Sequence, residues 1–269
     1  MPIPLRRRWG RWVVYQPLFC QFLAIFSELT IDAEPFLRAV YERYRYVSKW
    51  NLLLEKPVLG LPDQVRQQVM YTHVLPLAGG ADSYTADRRM NLQRADRRVG
   101  NVPGWELGQS DDVAPLLTLF RENHAAAIGV GEWAYNLFRN VFAVVQQQGL
   151  GTLHYAYASG QVVAGVLFVE QHGRIIYLFN AASAEGRRLN ARSLLIDQLI
   201  QKEKEKAMLL ASPTQPVLDF ESPEKPGVVS FYESFGARPQ PFIALSWSRL
   251  NWLERVALAT AKKAKQLIS

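Results

Sequence analysis

The chain has 269 residues, of which 49% are hydrophobic and 20% charged, and its formal net charge is +7. This balance is typical of a folded globular protein and excludes an intrinsically disordered chain. The single cysteine, Cys20, excludes an internal disulfide framework and any zinc or iron–sulfur site built from several cysteines. The excess of Lys and Arg over Asp and Glu permits RNA, an anionic cofactor or an acidic membrane surface as partners.

The amino-terminal segment has arginines followed by an apolar stretch, which is the outline of a signal sequence. Gln16, Pro17 and Gln21 interrupt that stretch, and no small-residue cleavage site follows. The sequence therefore predicts two strands, 3–5 and 12–15, joined by a basic turn. No other segment reaches the roughly 18 uninterrupted apolar residues that a membrane span requires. We expect a cytoplasmic protein without stable membrane insertion, and contact with a membrane surface stays open.

Between residues 34 and 104 the sequence predicts two helices and one strand. An apolar stripe at helical spacing predicts a helix over 34–48, and a strand fits 70–77. A polar, arginine-rich helix is predicted over 82–98. The Asn, Pro and Gly residues of 101–104 indicate a seam between two halves of the chain.

After the seam, the predicted order of elements is β-α-α-β-β-β-α-β-α-β. Asp111 and Asp112 are expected to cap the first of these helices. The predicted strands cover 105–109, 152–158, 162–171, 174–181, 217–220 and 242–247, and the predicted helices cover 113–124, 132–148, 190–208 and 228–235. A final amphipathic helix, rich in Ala and Lys, is predicted over 250–268.

Three stretches carry local motifs in addition to this order of elements. The first is Tyr-Gln-Pro-Leu-Phe-Cys-Gln at 15–21, and the second is the set Asn91, Arg94 and Arg98 on the arginine-rich helix. The third begins with Asp-Phe-Glu-Ser at 219–222 and continues with a Pro-Gly turn and a helix ending in Phe-Gly at 226–237. The order of elements resembles the GCN5-related N-acetyltransferase (GNAT) fold. The motifs are closer to its FemAB/FemX-like branch, whose members carry two such domains in tandem.

The resemblance implies an α/β protein with tandem GNAT-like mixed sheets flanked by helices. The expected division is a partial N-terminal domain over 1–102, a complete C-terminal domain over 103–248 and an amphipathic basic helix over 249–269. Relatives have a strand–helix–strand stretch before the first motif, so we expect a first domain that is incomplete at its N-terminus, through a mis-set start codon.

The same resemblance implies an N-acyltransferase that forms an amide from an amine and an acetyl, acyl or aminoacyl group. The co-substrate would be acyl-coenzyme A or aminoacyl-tRNA, with no permanently bound cofactor and no metal. The acceptor would be an amine-bearing small molecule or a cell-envelope precursor, with tRNA as a further partner. The alternative is a non-catalytic module of the same fold that binds RNA or an anionic cell-envelope precursor.

Three residues are candidates for proton transfer. Tyr232 matches the GNAT tyrosine that faces the leaving group, and a phenol can protonate a departing thiolate or alkoxide. Its other interpretation is a core tyrosine packed against phenylalanines. Asp219 and Glu221 flank Phe220, so an extended strand end would point both carboxylates to one face, where either could serve as base. The alternative is that they cap the turn and pair with Lys225 or an arginine, and Ser222 would be an accessory hydrogen-bond donor.

The start of the central helix is the candidate site for phosphate. Arg187, Arg188 and Asn190 would bind the anionic part of the donor at the positive end of the helix. Asn190 and Arg192 replace the two small residues that the family pattern has there, and their side chains would obstruct close approach of a pyrophosphate to the backbone. Further candidates for substrate binding are Tyr177 and Asn180, with strand packing as the alternative, and Gln21, Asn91 and Arg94, facing a groove between the halves.

The remaining chemistry-bearing residues give no site of their own. His73, His124, His154 and His172 lie in unrelated predicted elements without a His pair at i,i+4 spacing, so a zinc site has no support. Each is expected at a strand end or on the surface. Cys20 lies in an apolar run and is expected to be a small buried residue rather than a nucleophile.

Overall fold

A computed structural model describes residues 1–8, 10–27, 29–123, 129, 131–210, 216–222, 224–256 and 260. Their contacts form two compact units, Met1–Tyr71 with Gln240–Ser269 and Thr72–Pro239. The units are drawn differently from the expected domains, because residues 72–102 group with the second unit and residues 240–248 with the first. The expected boundaries at 102 and 248 stay a prediction.

The first unit contains a sheet in the order β1-β2-β3-β10. Its elements are β1 (Leu5–Arg8), β2 (Arg11–Val14), α1 (Glu34–Arg43), β3 (Tyr46–Leu52), the first part of β4 (Arg66–Pro76) and most of β10 (Arg238–Ser248). β1 and β2 form an antiparallel hairpin, β2 runs parallel to β3, and β3 runs antiparallel to β10. Leu37 and Val40 of α1 pack with Trp50 and Trp247 in the core of this unit.

The prediction of a helix over 34–48 is wrong at its end, and the strand β3 was missed. α1 ends at Arg43 because Tyr44 adopts an extended conformation, with φ −116° and ψ 121°. Residues 46–52 pair with β10 instead, which buries Val47 and Trp50. The apolar spacing that suggested a longer helix also fits a strand, and only the partner strand decides between them.

The second unit contains a mixed sheet in the order β4-β9-β8-β7-β6-β5. The further elements of this unit are a 3₁₀ segment (Leu77–Ser83), α2 (Ala86–Val99), β5 (Glu106–Ser110), α3 (Ala114–Asn123), α4 (Glu132–Gln147), β6 (Gly151–Ala158), β7 (Gln161–Gln171), β8 (Arg174–Ala182), α5 (Ala184–Arg188), α6 (Ala191–Leu210), β9 (Val217–Asp219) and α7 (Pro226–Glu233). The predicted α/β class, with mixed strands flanked by helices, is confirmed. The short helix α5 was missed.

Helices cover both faces of this sheet. α2, α6 and α7 pack on one face, here called the α6 face, against Val166, Phe168 and Leu218. α3 and α4 pack on the opposite face, here called the α3 face, where their rings contact Phe179 of β8. Because side chains alternate along a strand, the strand register decides which face each candidate residue occupies.

Arg88 of the arginine-rich helix α2 joins three helices on the α6 face. Only 8% of this residue is exposed, and its guanidinium donates to the hydroxyls of Ser193 in α6, at 3.0 Å, and Ser234 after α7, at 2.9 Å. The rings of Phe231 and Phe235 lie 4.6 and 4.3 Å from it. The sequence predicted a polar, arginine-rich helix, and the burial of this arginine was not foreseen.

After β10 the described chain continues with helical residues 252–256 and 260. The rest of the predicted helix 250–268 lies outside the described residues. None of the helices in the described part of the chain combines the length and apolarity needed to cross a membrane.

Candidate active site

The two parallel strands of the second unit separate after three residue pairs. β8 and β9 pair from Arg174 with Val217 to Ile176 with Asp219, and β9 then ends, whereas β8 continues to Ala182. In α/β sheets, the space outside the carboxyl ends of parallel strands is where ligands bind. The residues around this separation therefore form the candidate site.

Tyr232 of α7 lies at this separation and is buried. Its ring stacks on Phe220, which follows β9, with centroids 4.2 Å apart and an angle of 18°. Burial raises the pKa of Tyr232 to about 12, although the Arg192 guanidinium acts in the opposite direction. Among the described residues, its hydroxyl has no hydrogen-bond partner. The phenol is therefore protonated at neutral pH and able to donate.

A β-bulge brings Tyr177 and Asn180 of β8 to the same face. The register between β7 and β8 shifts so that Tyr177 lies opposite Phe168 and Asn180 opposite Val166, which places both on the α6 face. Without the bulge, alternation would put residues three apart on opposite faces. Tyr177 packs edge-on against Tyr232, with ring centroids 6.1 Å apart.

Arg192 is the cation of this cluster. It donates to the Asn180 Oδ1 at 2.8 Å, and its guanidinium lies 5.9 Å from the centroid of the Phe231 ring. It forms no ion pair with a carboxylate within the described ranges. The Tyr177 hydroxyl is buried without a hydrogen-bond partner there, and burial raises its pKa while Arg192 partly offsets this. The hydroxyls of Tyr177 and Tyr232 therefore lie near the Arg192 guanidinium, and no carboxylate of the described residues pairs with that guanidinium.

In the segment predicted to bind phosphate, some groups already make hydrogen bonds within the protein. Arg187 and Arg188 are exposed in the last turn of α5, and Arg187 donates to the Ala182 carbonyl at 2.8 Å. Asn190 has a φ of 57°, in the left-handed region, and its carbonyl accepts from the Ser193 and Leu194 amides as α6 begins. Asn190 therefore shapes the start of α6, and phosphate binding by these three residues stays a prediction.

Asp219 makes the contacts expected of a residue that caps the turn and pairs with an arginine. Its carboxylate accepts from Arg174 Nη2 at 2.6 Å and from the Thr72 hydroxyl at 2.6 Å, and none of the residue is exposed. It also caps the turn through the Glu221 amide at 3.0 Å. Because Leu218 pairs opposite Leu75 on the α6 face, Asp219 next to it points to the opposite face, away from Phe220.

The expectation that Asp219 and Glu221 share one face is wrong. β9 ends at Asp219, and Glu221 has a φ of 40°, so the alternation of an extended strand does not continue to it. A single residue in the left-handed region is enough to redirect the chain. Glu221 is half-buried beside Phe220, and a catalytic role for it stays a prediction.

His73 was expected at a strand end or on the surface, and the structure buries it. It lies on β4 with 4% exposed, and its Nδ1 is 2.6 Å from the hydroxyl of the buried Ser222. Its Nε2 lies 3.9 Å from the Glu233 carboxylate. Alternation from Leu75 places His73 on the α6 face, the face of Phe220 and Tyr232. Burial lowers the pKa of His73, whereas Glu233, Asp219 and Glu224 act to raise it.

A second buried histidine, His154 of β6, was also expected at a strand end or on the surface. Only 3% of it is exposed, its Nε2 lies 3.2 Å from the Gln109 amide nitrogen, and its Nδ1 has no partner among the described residues. Burial, with a smaller effect of Lys202, lowers its pKa to about 4. His172 is exposed in a turn, as expected, and His124 lies outside the described residues.

Among the described residues, no contact joins the remaining candidates to Tyr177, Arg192 or Tyr232. Gln21 belongs to the first unit, where its carbonyl accepts from the Asn51 side chain at 2.6 Å. Asn91 and Arg94 are exposed on α2. Cys20 is half-buried and its Sγ lies 3.1 Å from the Phe22 carbonyl. In the described part of the chain, no three His, Cys, Asp or Glu residues are grouped as metal ligands would be.

Two residues of the candidate site were missed or misjudged from the sequence. Arg192 was noted only as a departure from a small residue, and nothing in its spacing indicates that it folds back onto Asn180. For His73 a signal was present, because it occupies the apolar side of a strand whose inward positions continue with Leu75. A histidine in such a position has to find a buried polar partner.

Comparison with known proteins gives a family match and a set of similar folds. Residues 86–208 match the family described as Acetyltransferase (GNAT) domain. The solved structure of FemX is similar at 12% identity and a TM-score of 0.59, covering 89% of this chain and 82% of that chain. No curated protein sequence matches the chain.

Two further solved structures are similar over nearly the whole chain. One is the C-terminal domain of a putative lysylphosphatidylglycerol synthetase from Agrobacterium fabrum, with 12% identity, a TM-score of 0.56 and coverage of 97% of this chain and 84% of that chain. The other is L-PGS from Bacillus licheniformis, with 14% identity, a TM-score of 0.53 and coverage of 96% and 84%. With the family match, they confirm the resemblance to the GNAT superfamily and its FemX-like fold.

Proposed function

We propose that this chain, whose residues 86–208 match the GNAT acetyltransferase domain, is an N-acyltransferase that moves an acyl or aminoacyl group onto an amine. The observation that carries the proposal is the buried hydroxyl of Tyr177, which has no hydrogen-bond partner among the described residues and lies beside Arg192 and Tyr232 where β8 and β9 separate. Buried polar groups are normally hydrogen-bonded, and exceptions call for a functional explanation. A reacting carbonyl beside the Tyr177 hydroxyl would supply the missing acceptor.

Arg192 and Tyr177 are proposed to stabilise the oxyanion. When the amine attacks the carbonyl carbon, negative charge develops on the carbonyl oxygen. A guanidinium and a phenol held by packing and by the Asn180 contact need no rearrangement to stabilise this charge. The low dielectric of the buried site strengthens that interaction.

Tyr232 is proposed to protonate the leaving group. Its pKa of about 12 keeps the proton in place until a strong base forms at the hydroxyl. An alkoxide released from an ester is such a base, whereas a thiolate, whose thiol has a pKa of about 8.5, needs the proton less. The acyl donor is therefore proposed as acyl-coenzyme A or aminoacyl-tRNA, and the aminoacyl ester would depend more strongly on Tyr232.

His73, with Ser222, is proposed to accept the proton of the amine, and Asp219 is assigned a structural role. Burial keeps the imidazole of His73 neutral at physiological pH, and the nearby carboxylates would stabilise the imidazolium once it forms. Asp219 is saturated by Arg174 and Thr72 on the other face. Glu221 stays the alternative proton acceptor. Loss of turnover in His73→Gln but not in Glu221→Gln would assign the proton transfer to His73, and the reverse would assign it to Glu221.

The acceptor is proposed to be an amine-bearing small molecule or a cell-envelope precursor. One of the proteins with a similar fold is named as a lysylphosphatidylglycerol synthetase. Cell-envelope precursors with a free amine are the acceptors to test first, because the proposed reaction forms an amide.

The test is turnover in Tyr232→Phe, with Tyr84→Phe as the matched control. Removing the Tyr232 hydroxyl should lower kcat by about 100-fold or more and leave stability unchanged, because no internal hydrogen bond is lost. The Tyr84 hydroxyl donates to Asp197 at 2.7 Å, so its removal should cost about 1 kcal/mol of unfolding free energy and no turnover. Unchanged turnover in Tyr232→Phe contradicts the proposal.

A further inference from the structure

A small cavity lies in the first unit between the β1–β2 hairpin, the start of β3 and the residues that follow β10. Its volume is about 150 Å³, and its lining includes Val13, Tyr46 and Leu250. Val13 and Leu250 are buried, so this part of the lining is apolar. Cavities for drug-sized ligands have volumes of roughly 300–1,000 Å³. This one, here called the hairpin cavity, therefore has room for a smaller organic molecule.

The rest of the lining is charged and mostly positive. Arg8, Arg11 and Arg45 line the hairpin cavity, and Glu254 is the one carboxylate that lines it among the described residues. Glu254 pairs with Arg11 at 3.1 Å and with Arg45 at 3.4 Å. Three arginines against one glutamate leave a formal charge of +2 at the hairpin cavity.

Arg6 adds a fourth arginine to this face of the hairpin. Arg8 lies directly opposite Arg11 in the hairpin register, and Arg6 lies two residues before Arg8, so the three side chains share a face. The Arg6 guanidinium lies 4.8 Å from the centroid of the Tyr15 ring, and its Nε is buried without a hydrogen-bond partner in the described part of the chain. Burial lowers the pKa of Arg6, and the charge of Arg8 lowers it further. This face therefore carries positive charge that Glu254 does not balance.

We propose that the hairpin cavity binds a small organic anion, in which a carboxylate or a phosphate ester is attached to a compact apolar body. Guanidinium groups bind both kinds of anion through paired hydrogen bonds. Arg8 would bind the anion together with Arg11, which keeps 56% of its side chain exposed while it holds Glu254. The apolar body would pack against Val13 and Leu250 and exclude water, which strengthens the interaction of the charged groups. This inference does not rest on the acyltransferase proposal, whose residues belong to the second unit.

The experiment is an NMR titration of the full chain, followed on the signals of four probes. Benzoate and phenyl phosphate carry an anionic group on an apolar ring, benzamide carries a neutral group on the same ring, and inorganic phosphate has no apolar body. We expect saturable binding of at least one of the two aromatic anions, at least about tenfold tighter than benzamide and inorganic phosphate. The tighter of the two identifies a carboxylate or a phosphate ester as the preferred anionic group. Absence of saturable binding by both aromatic anions, or equal affinity for either control probe, would overturn the proposal.

The matched variants test whether binding depends on this face of the hairpin. Arg8→Met removes one guanidinium from the hairpin cavity and leaves both ion pairs of Glu254 in place, so it should weaken binding of the aromatic anions at least about tenfold. Arg7→Met is the control, because Arg7 is exposed and alternation places it on the opposite face from Arg8. It should bind the probes as the wild type does. An equal loss in both variants, or no loss in Arg8→Met, contradicts the proposal.

Arg8→Lys keeps the proposal testable if loss of the charge impairs folding. Lysine retains the charge and an apolar stem but cannot form the paired hydrogen bonds of a guanidinium. We expect Arg8→Lys to weaken binding of the tighter aromatic anion by about threefold or more, with a wild-type midpoint in urea titration. Wild-type affinity in Arg8→Lys would rule out a site that depends on the guanidinium of Arg8.

Discussion

Asp219 is held by hydrogen bonds from Arg174, Thr72 and the backbone of Glu221. Replacing its charge by an amide, as in Asp219→Asn, leaves a guanidinium facing a neutral group in a site with no exposure. We expect the free energy of unfolding to fall by about 2–3 kcal/mol, measured by urea titration. Turnover per folded molecule should stay within about threefold, because the carboxylate faces away from Tyr232.

The result that would contradict this assignment is the reverse pattern. A large loss of turnover in Asp219→Asn at unchanged stability would make Asp219 the base, as the sequence first suggested. Arg174→Met is the companion variant, since it should destabilise the fold through the same ion pair without touching the face of Tyr232.

His154 makes stability depend on pH. Its folded pKa of about 4 lies below the ordinary 6.5, so the folded state binds fewer protons than the unfolded state between these values. Stability is therefore complete above pH 6.5 and is lost as pH falls towards 4, by up to about 3 kcal/mol. Urea titrations across this range should show the loss in wild type and a smaller one in His154→Gln.

The control for this prediction is His172→Asn. His172 is exposed, and Asn tolerates its φ of 51°, so this variant should follow the wild-type dependence on pH. If His154→Gln also keeps the wild-type dependence, the acid sensitivity arises elsewhere.

At the scale of single residues, the sequence predicted which chemical groups the candidate site contains but not which contacts they make. Tyr232 was identified by its motif, but its lack of an internal hydrogen bond depends on how α7 packs over Phe220. The common face of Tyr177 and Asn180 requires a bulge in β8 that alternation cannot foresee. The direction of Glu221 requires one left-handed residue after β9.

The turn into α5 and α6 depends on a glycine without room for a side chain. A Cβ on Gly186 would lie 2.1 Å from the Val163 carbonyl oxygen in β7, and backbone cannot move aside as a flexible side chain can. Gly186→Ala should therefore cost about 3 kcal/mol of unfolding free energy and displace the start of α6. Urea titration measures the first effect, and loss of donor binding reports the second.

Gly227 in α7 is the matched position for this test. A Cβ there meets nothing within 4 Å, so Gly227→Ala should be neutral or stabilise by up to about 1 kcal/mol. Equal effects of the two substitutions would show that the contact with Val163 does not limit the packing of α5.

At the scale of elements, local sequence patterns predicted the strands correctly where turns mark the ends of the strands. Gly160 and Gly173 mark the two turns of the β6–β7–β8 meander, and the predicted strands agree with the structure to within a residue. β3 failed because its pairing with β10 joins residues about 200 positions apart. No local pattern of apolar residues carries that information.

At the scale of the whole molecule, two compact units have their own cores. The first contains Trp50 and Trp247, and the second contains Phe168, Phe220 and Phe235. The candidate site lies within the second unit.

The central claim is that an acyl donor binds beside Tyr177, Arg192 and Tyr232. Native mass spectrometry of the full chain, mixed with an acyl-coenzyme A panel and separately with charged tRNA, tests it most directly. We predict a saturable complex with one donor class that weakens at least about tenfold in Arg192→Met, because the guanidinium faces the bound carbonyl. If neither donor binds, or if Arg192→Met binds as the wild type does, the account of this site is contradicted.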